Sequence, residues 1–510
     1  MKAYKDYMNE LSKEDVLEGL LGYGLFADKL PSVLSNEAFY NYCKTKGFPK
    51  FEQKGHDYIR YETTRNTNIP RLISIPNPFA YSNLCKHISE HWEELRAVYN
   101  EATSNQNYKI SQIHIQKLKN KNELFEMNKH YTDKDYSLSM FLDKLQIMKR
   151  VRVSADISNC FPSIYSHSLS WAIVGKEIAK KSKDDKTLWF NTLDYYVRNI
   201  KNEETNGLLI GPHSSNLLSE LVLCRIDQDL SPNYDYIRNI DDFTCYVNSD
   251  DEAERFLLDL NASLKKYELA LNTKKTEIIK LPVSSASDWV GTINSYYIGN
   301  DLTEDNKVVF KFQRLKAYLD LVISLANSSN NLSIYSYAIK TISNTYLGKR
   351  AMSYYINTIH HLVCLYPYLV HWLEEFVFEA FGISKGTIRD IAQDVYDVGV
   401  SRRIYESCSF ALYWAIKYGF DLSNNHIEDS FASEDCVFML LSYIKTTKEK
   451  GKIKEGKKRF KEKAKSLIDD MDRYWLFIYE VLPKTDLPNG EFRAIKEKRI
   501  SFIKTNSVKM

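Results

Sequence analysis

YIRNIDDFTCYV (236–247) decides the fold. β-Branched and aromatic residues dominate both flanks, so each flank reads as a strand, with Asp241 and Asp242 at a tight hairpin turn between them. A second strand is legible in RVRVSAD (150–156), where Val151, Val153 and Ala155 alternate with Arg150, Arg152 and Ser154 and the run ends on Asp156. Convergence of the two strand ends gathers three carboxylates. Such a cluster repels itself unless divalent cations neutralise it, and Mg²⁺ favours a few carboxylates completed by substrate phosphates and water. Two ions held this way stabilise the attacking and leaving oxygens of an in-line phosphoryl displacement. Alone, an Asp-Asp pair is ordinary turn chemistry. The rest of the chain has to decide between the two readings.

SADISNCFPSI (154–164) resembles motif A of the reverse transcriptases, in which an aromatic residue, here Phe161, follows the Asp by five positions. NIDDF (239–243) resembles their motif C, with Asn239 where Tyr is usual. NGLLIGPHSSNLLSELVL (206–223) resembles motif B, keeping Gly207, Gly211 and Ser215 but carrying Leu209 and Ile210 in place of Pro-Gln. LALNTKKTEI (269–278) resembles motif D through Lys275 and Thr276. IPRLISIPNP (69–78) resembles the fingers motif in which an Arg, here Arg71, precedes Ile75 and Pro76. Within that family, DISNCFPSIYSHSLSWAIVGK (156–176) resembles the abortive-infection (Abi) branch of AbiK and its prophage-encoded relatives, through Tyr165, His167, Ser168, Trp171, Gly175 and Lys176.

The resemblance implies an α+β chain: a right-hand palm-and-fingers polymerase followed by an all-helical, helical-repeat C-terminal domain. It implies nucleotidyl transfer from dNTPs with Mg²⁺, or Mn²⁺ in its stead. The Abi branch further implies antiphage defence, DNA synthesis without a template primed from a protein tyrosine, a single-stranded DNA product left covalently attached, and a homo-oligomer. Asp156 and Asp241 are expected to hold the metals and Asp242 to support them. Phe161 can stack under the sugar and exclude a 2′-hydroxyl. The backbone of Ser158, Asn159 and Cys160 can form an anion nest. Arg71 offers a planar fork to phosphate oxygens, Gly211 lets the backbone approach the nucleotide, and Lys275 can protonate the departing pyrophosphate. Ile210 cannot hydrogen-bond through its side chain and Asn239 removes a ring, so both argue against templated copying. Two other readings remain: an RNA-templated reverse transcriptase, and a catalytically silent scaffold binding a phage component. Among 36 tyrosines nothing singles out a primer; Tyr4, Tyr7 and Tyr23 precede the fingers and are candidates.

Composition agrees with a large enzyme. The 510 residues are 44% hydrophobic and 13% aromatic, enough for several cores. A net charge of +3 excludes a whole-surface nucleic-acid binder. Eight cysteines without Cys-x-x-Cys spacing signal neither zinc nor a disulfide framework. The N-terminus has no apolar signal core and no apolar run nears the roughly 20 residues that span a bilayer, so the expectation is a cytoplasmic protein without a membrane partner.

Three regions are expected: 1–145, N-terminal region and fingers; 146–285, palm; 300–510, helical. A helix is expected from Ser214 to Leu230, another opened by a capping box at Ser249 and Glu252, and a break in LPVSSASDW (281–289). Tyr354, Tyr355, Tyr366 and Tyr368 read as core residues more readily than as base-stacking platforms. The run 448–465 carries ten basic and three acidic residues, either a track for single-stranded DNA or a solvated charged helix.

Overall fold

In the computed structural model, residues 3–50, 54–67, 69–115, 125–126, 144–283, 288–296, 308–423, 425–448 and 453–504 are described. Part of the 281–289 break and residues 449–452 of the basic run lie outside them. A hairpin of β1 (Tyr58–Thr63) and β2 (Arg71–Pro76) precedes a four-stranded antiparallel sheet. That sheet is built from β3 (Val151–Asp156), β4 (Tyr236–Asn239), β5 (Asp242–Val247) and β6 (Glu277–Lys280), in the order β4-β5-β3-β6. Alternation sets its buried face: Val151, Val153 and Ala155 of β3 and Phe243, Cys245 and Val247 of β5 point into the core. Helix Asp250–Lys266 packs against β3 and β5, and helix His213–Leu230 packs against that helix in turn. The first is capped by the Ser249 hydroxyl, but Glu252 reaches back to the Asn248 amide, one residue earlier than a standard capping box.

Helix His213–Leu230 is buried on nearly every side, as its dense apolar sequence dictates. It touches helices Trp92–Ala102 and His167–Val174 as well. Two glycines fit the motif B approach to its surroundings. Gly207 has φ 82°, and a Cβ there would lie 2.6 Å from the Pro162 carbonyl oxygen. Gly211 has φ 130°, and a Cβ would come within 2.9 Å of the Ser74 carbonyl oxygen on β2. The Ser74 amide donates to the Ile210 carbonyl at 2.8 Å, so the bare backbone at Gly211 is the joint between fingers hairpin and palm.

After the palm the described residues are helical apart from one two-residue strand pair. Helices Lys385–Arg402, Tyr405–Tyr418, Cys436–Lys448 and Met471–Val481 pack each against the next, in the manner of stacked pairs. Tyr355 and Tyr368 are buried here, Tyr366 stacks on Tyr335, and Tyr354 meets the edge of Phe312, so these rings are packing groups. In the basic run, Lys461 and Lys465 both reach Asp486 at 2.8 Å and Arg459 pairs with Glu428, which spends part of its charge internally. All eight cysteines are free thiols, and seven are buried. Among the described residues no helix is long and apolar enough to cross a membrane.

Gly207→Ala combines a left-handed backbone with a collision against fixed main chain, and should lower stability by about 2–4 kcal/mol in urea unfolding.

Candidate active site

The turn that carries the acids is shaped by a side chain from beneath it. Only Ile240 and Asp241 join β4 to β5, and Ile240 sits at φ 57°, a costly conformation for a β-branched residue. Arg238 is 0% exposed and donates from Nη1 to the Ile240 carbonyl at 2.8 Å. Its Nε lies 3.0 Å from both Asp227 carboxylate oxygens, and Nη1 and Nη2 reach Glu220 at 3.0 and 3.1 Å. Both acids belong to helix His213–Leu230, so the motif B helix and the motif C turn are locked by one guanidinium. Sequence reasoning missed it; the signal was a lone Arg on the inward-facing phase of an otherwise apolar strand.

Asp242 is not in the turn, contrary to expectation. It is the first residue of β5 and stands across from Asp156 in the strand register, while Asp241 alone occupies the turn. Asp156, Asp241 and Asp242 each present a carboxylate oxygen, all within 4.8 Å of one another. Three hard oxygen donors at that spacing fit a divalent cation such as Mg²⁺ or Mn²⁺. Without one the acids strain against each other. Loss of hydration, then the Asp241 charge, push Asp242 up to about 6. Asp241 is raised by loss of hydration and by Asp156. Asp156, 5% exposed, accepts from Lys275 Nζ at 2.7 Å and from Asn272 Nδ2 at 2.9 Å. That bond raises the Lys275 pKa. Asn272 also donates its amide to the Asp156 carbonyl at 2.7 Å, wrapping the motif D turn around the strand end. It sits three positions before Lys275 but was not among the sequence candidates.

Cations gather on the other wall. Arg71 is surface-exposed yet set in the cleft, where lost hydration and the Arg65 charge lower its pKa while Asp241 opposes that shift. Lys29 is likewise lowered by burial and then by Arg71 and Arg65. Lys29 lies far from any motif and Arg65 is in the loop of the hairpin just before the fingers motif, and neither was among the sequence candidates. Of the expected nest, the Ser158 amide is already spent on the Ala270 carbonyl at 2.8 Å, so a phosphate is left the turn at Asn159, which is left-handed at φ 46°, and Cys160. Phe161 is half-buried, its backbone carbonyl accepting from the Leu208 amide at 2.8 Å. Tyr4 is 4% exposed and its hydroxyl donates to Glu220; Tyr7 and Tyr23 are half-buried.

An acid-tipped antiparallel palm sheet faced by a basic fingers hairpin, with a helical region behind, is the right-hand palm-and-fingers polymerase fold. Residues 95–304 match the reverse transcriptase (RNA-dependent DNA polymerase) family, so the chain contains a reverse transcriptase domain of the nucleotidyltransferase class. Solved structures that resemble it include an apo telomerase from Candida tropicalis truncated of its C-terminal domain, at 13% identity and TM-score 0.28, covering 49% of this chain and 56% of that one. A further structure of apo telomerase from the same organism aligns at 13% identity and TM-score 0.32, over 73% of this chain and 69% of that one. The chain thus spans little more than half of the first of these structures. Among curated proteins none matches it.

Two outcomes follow from the charges. The folded pKa of Asp242 lies above its usual value, so the fold holds that proton more tightly than the unfolded chain does, and stability is lost as pH rises through about 6. Asp242→Asn should therefore raise the metal-free melting temperature by on the order of a degree at about pH 7.5 and have little effect at about pH 4.5. Arg238→Gln leaves Glu220 and Asp227 buried without a cation, and should cost about 3–5 kcal/mol by chemical denaturation.

Proposed function

We propose that this protein is a DNA polymerase that transfers nucleotides from dNTPs without a template, primed from a tyrosine of the protein itself, and that it acts in antiphage abortive infection. The observation that carries the nucleotidyl-transfer reading is the meeting of an acid cluster, Asp156, Asp241 and Asp242 with carboxylate oxygens within 4.8 Å of one another, with the hairpin's Arg71, whose charge interacts with Asp241. A metal-bound triphosphate engages both at once. Divalent cations held by Asp156, Asp241 and Asp242 would supply charge stabilisation at the attacking and leaving oxygens. Arg71 and Arg65 bind the phosphates and orient them for in-line attack. Lys275, 63% exposed by its side chain and poised on Asp156, turns to the pyrophosphate as the proton donor once the acids are engaged. Phe161 lies under the sugar and selects deoxynucleotides.

Motif B supports independence from a template. Leu209 is buried, Ile210 packs against the core, and the Ile210 carbonyl is occupied by Ser74, so neither residue in the Pro-Gln place offers a polar side chain to seat a template base. The residues that resemble the Abi branch also form one unit. Lys176 lies 4.1 Å from the Trp171 ring centroid and donates to Glu268 at 2.9 Å, while Tyr165 meets both His167 and Trp171. With Tyr4 buried, the primer is sought among exposed tyrosines. A homo-oligomer with covalently attached single-stranded DNA is the form expected in the cell.

Incubation of purified protein with Mg²⁺ and labelled dNTPs tests this. Label should stay on the denatured protein, arise without added template and survive RNase, while Asp156→Ala abolishes it, a loss of at least about 10³-fold. Free product, or a requirement for RNA, would instead favour the RNA-templated enzyme that the domain match also accommodates. An Asp156→Ala protein that still protects cells at normal abundance would leave only the scaffold reading.

A further inference from the structure

The β1–β2 hairpin presents Arg71 to the acids, and the helical region grips it at both ends. At its root, Asp472 of helix Met471–Val481 accepts from Asn77 Nδ2 at 2.8 Å and lies 3.1 Å from His56 Nδ1. At its tip, the Thr64 amide donates to Glu406 Oε2 at 2.6 Å and the Thr64 hydroxyl donates to the same oxygen. Asn66 reaches the Ser333 hydroxyl at 2.5 Å.

Glu406 is the unusual member. It is 1% exposed, at the second position of helix Tyr405–Tyr418, with the His371 ring nitrogen 2.8 Å from its other oxygen. A buried carboxylate is stable only while its partners stay, so release of the hairpin tip would strand it. The path to the site is short. Thr64 follows Thr63, which pairs with Arg71 across the hairpin and donates from its hydroxyl to the Arg71 carbonyl at 3.1 Å.

We propose that Glu406 is a positioning residue: from the helical region it clamps the tip of the β1–β2 hairpin through Thr64, holding Arg71 toward the acid cluster so that a nucleotide is received without the hairpin swinging. The clamp makes the helical region part of the nucleotide site. Anything that shifts helix Tyr405–Tyr418, such as a partner docking on the helices, therefore changes nucleotide affinity at a distance.

The nucleotide half of this inference rests on the proposed function; the mechanical half does not. Full-length wild-type protein is compared with Thr64→Val, Glu406→Gln and Glu406→Ala in two arms: the KM and kcat for dNTP incorporation, and hydrogen exchange of the amides of 58–76. Glu406→Ala should raise KM about tenfold with kcat changed less than about threefold, with Glu406→Gln and Thr64→Val between it and wild type. Hairpin amides should exchange faster in the same order, while those of the palm strands hold. Thr64→Val alters only a half-buried hydroxyl at the hairpin tip and keeps the test valid should the Glu406 variants fail to fold. Wild-type exchange in folded variants overturns the clamp. Faster exchange with wild-type KM overturns its role toward the nucleotide. If wild-type protein incorporates no dNTP, the proposed function fails and the exchange arm alone decides the clamp.

Discussion

Arg238 sits fully buried in the core, and it can be there only because Glu220 and Asp227 come with it. Burial works against all three charges, and the outcome differs among them. It would raise Glu220, but the guanidinium overrides it and leaves that carboxyl lowered. Asp227 stays raised by burial and by the Glu220 charge, because the two acids share one cation. Lys109, itself buried and lowered to about 7 with Glu220 opposing that shift, donates to the Ser111 and Ile113 carbonyls. The segment holding it runs beside β4, where the Arg238 amide and carbonyl bond Ile110 and Gln112. Helix, edge segment and strand are thus fixed to one another, and the turn bearing Asp241 is what that rigidity delivers. The last guanidinium bond goes to Ile240, so the strained residue is secured by the same group that forces it into register.

That rigidity is needed because the surface it supports is not self-stable. The three aspartates repel, Lys275 covers only one of them, and the cations of the facing wall crowd each other. A loose scaffold would relax both clusters apart. A preorganised one keeps them facing, so that ligand binding is not charged with assembling the site. The pattern is that of a functional site, where local electrostatic cost is maintained by order elsewhere.

Most of the palm was legible because its signals are local. Alternation in 151–155 marked β3, leucine spacing marked helix His213–Leu230, and the acids announced themselves by type. What stayed hidden depends on three-dimensional pairing. The single-residue offset that puts Asp242 in a strand and Asp241 alone in the turn follows from Ile240 being left-handed, which its identity argues against. Arg238 went unremarked because its partners arrive from a helix earlier in the chain. The anion nest was drawn from turn chemistry alone, and the hydrogen bond from the Ser158 amide to the Ala270 carbonyl removed one of its three amides. Lys29 and Glu406 belong to segments without a motif, and only the fold brings them to the hairpin that carries Arg71.

The match to the reverse transcriptase family ends at residue 304 and begins at 95, yet the cleft is not complete within those limits. Arg71 and Lys29 come from before it, and Glu406 and Asp472, which hold the hairpin, come from after it. A palm cut out at its sequence boundaries would keep the acids and lose the wall that faces them. This bears on the departures in motif B. In the Pro-Gln place this chain has Leu209 buried and Ile210 packed against the core, beside the retained Gly211 pressed on Ser74 and a hairpin tied at both ends. The Gly211 contact and the grip of the helical region act in one direction, holding the hairpin that carries Arg71 against the palm.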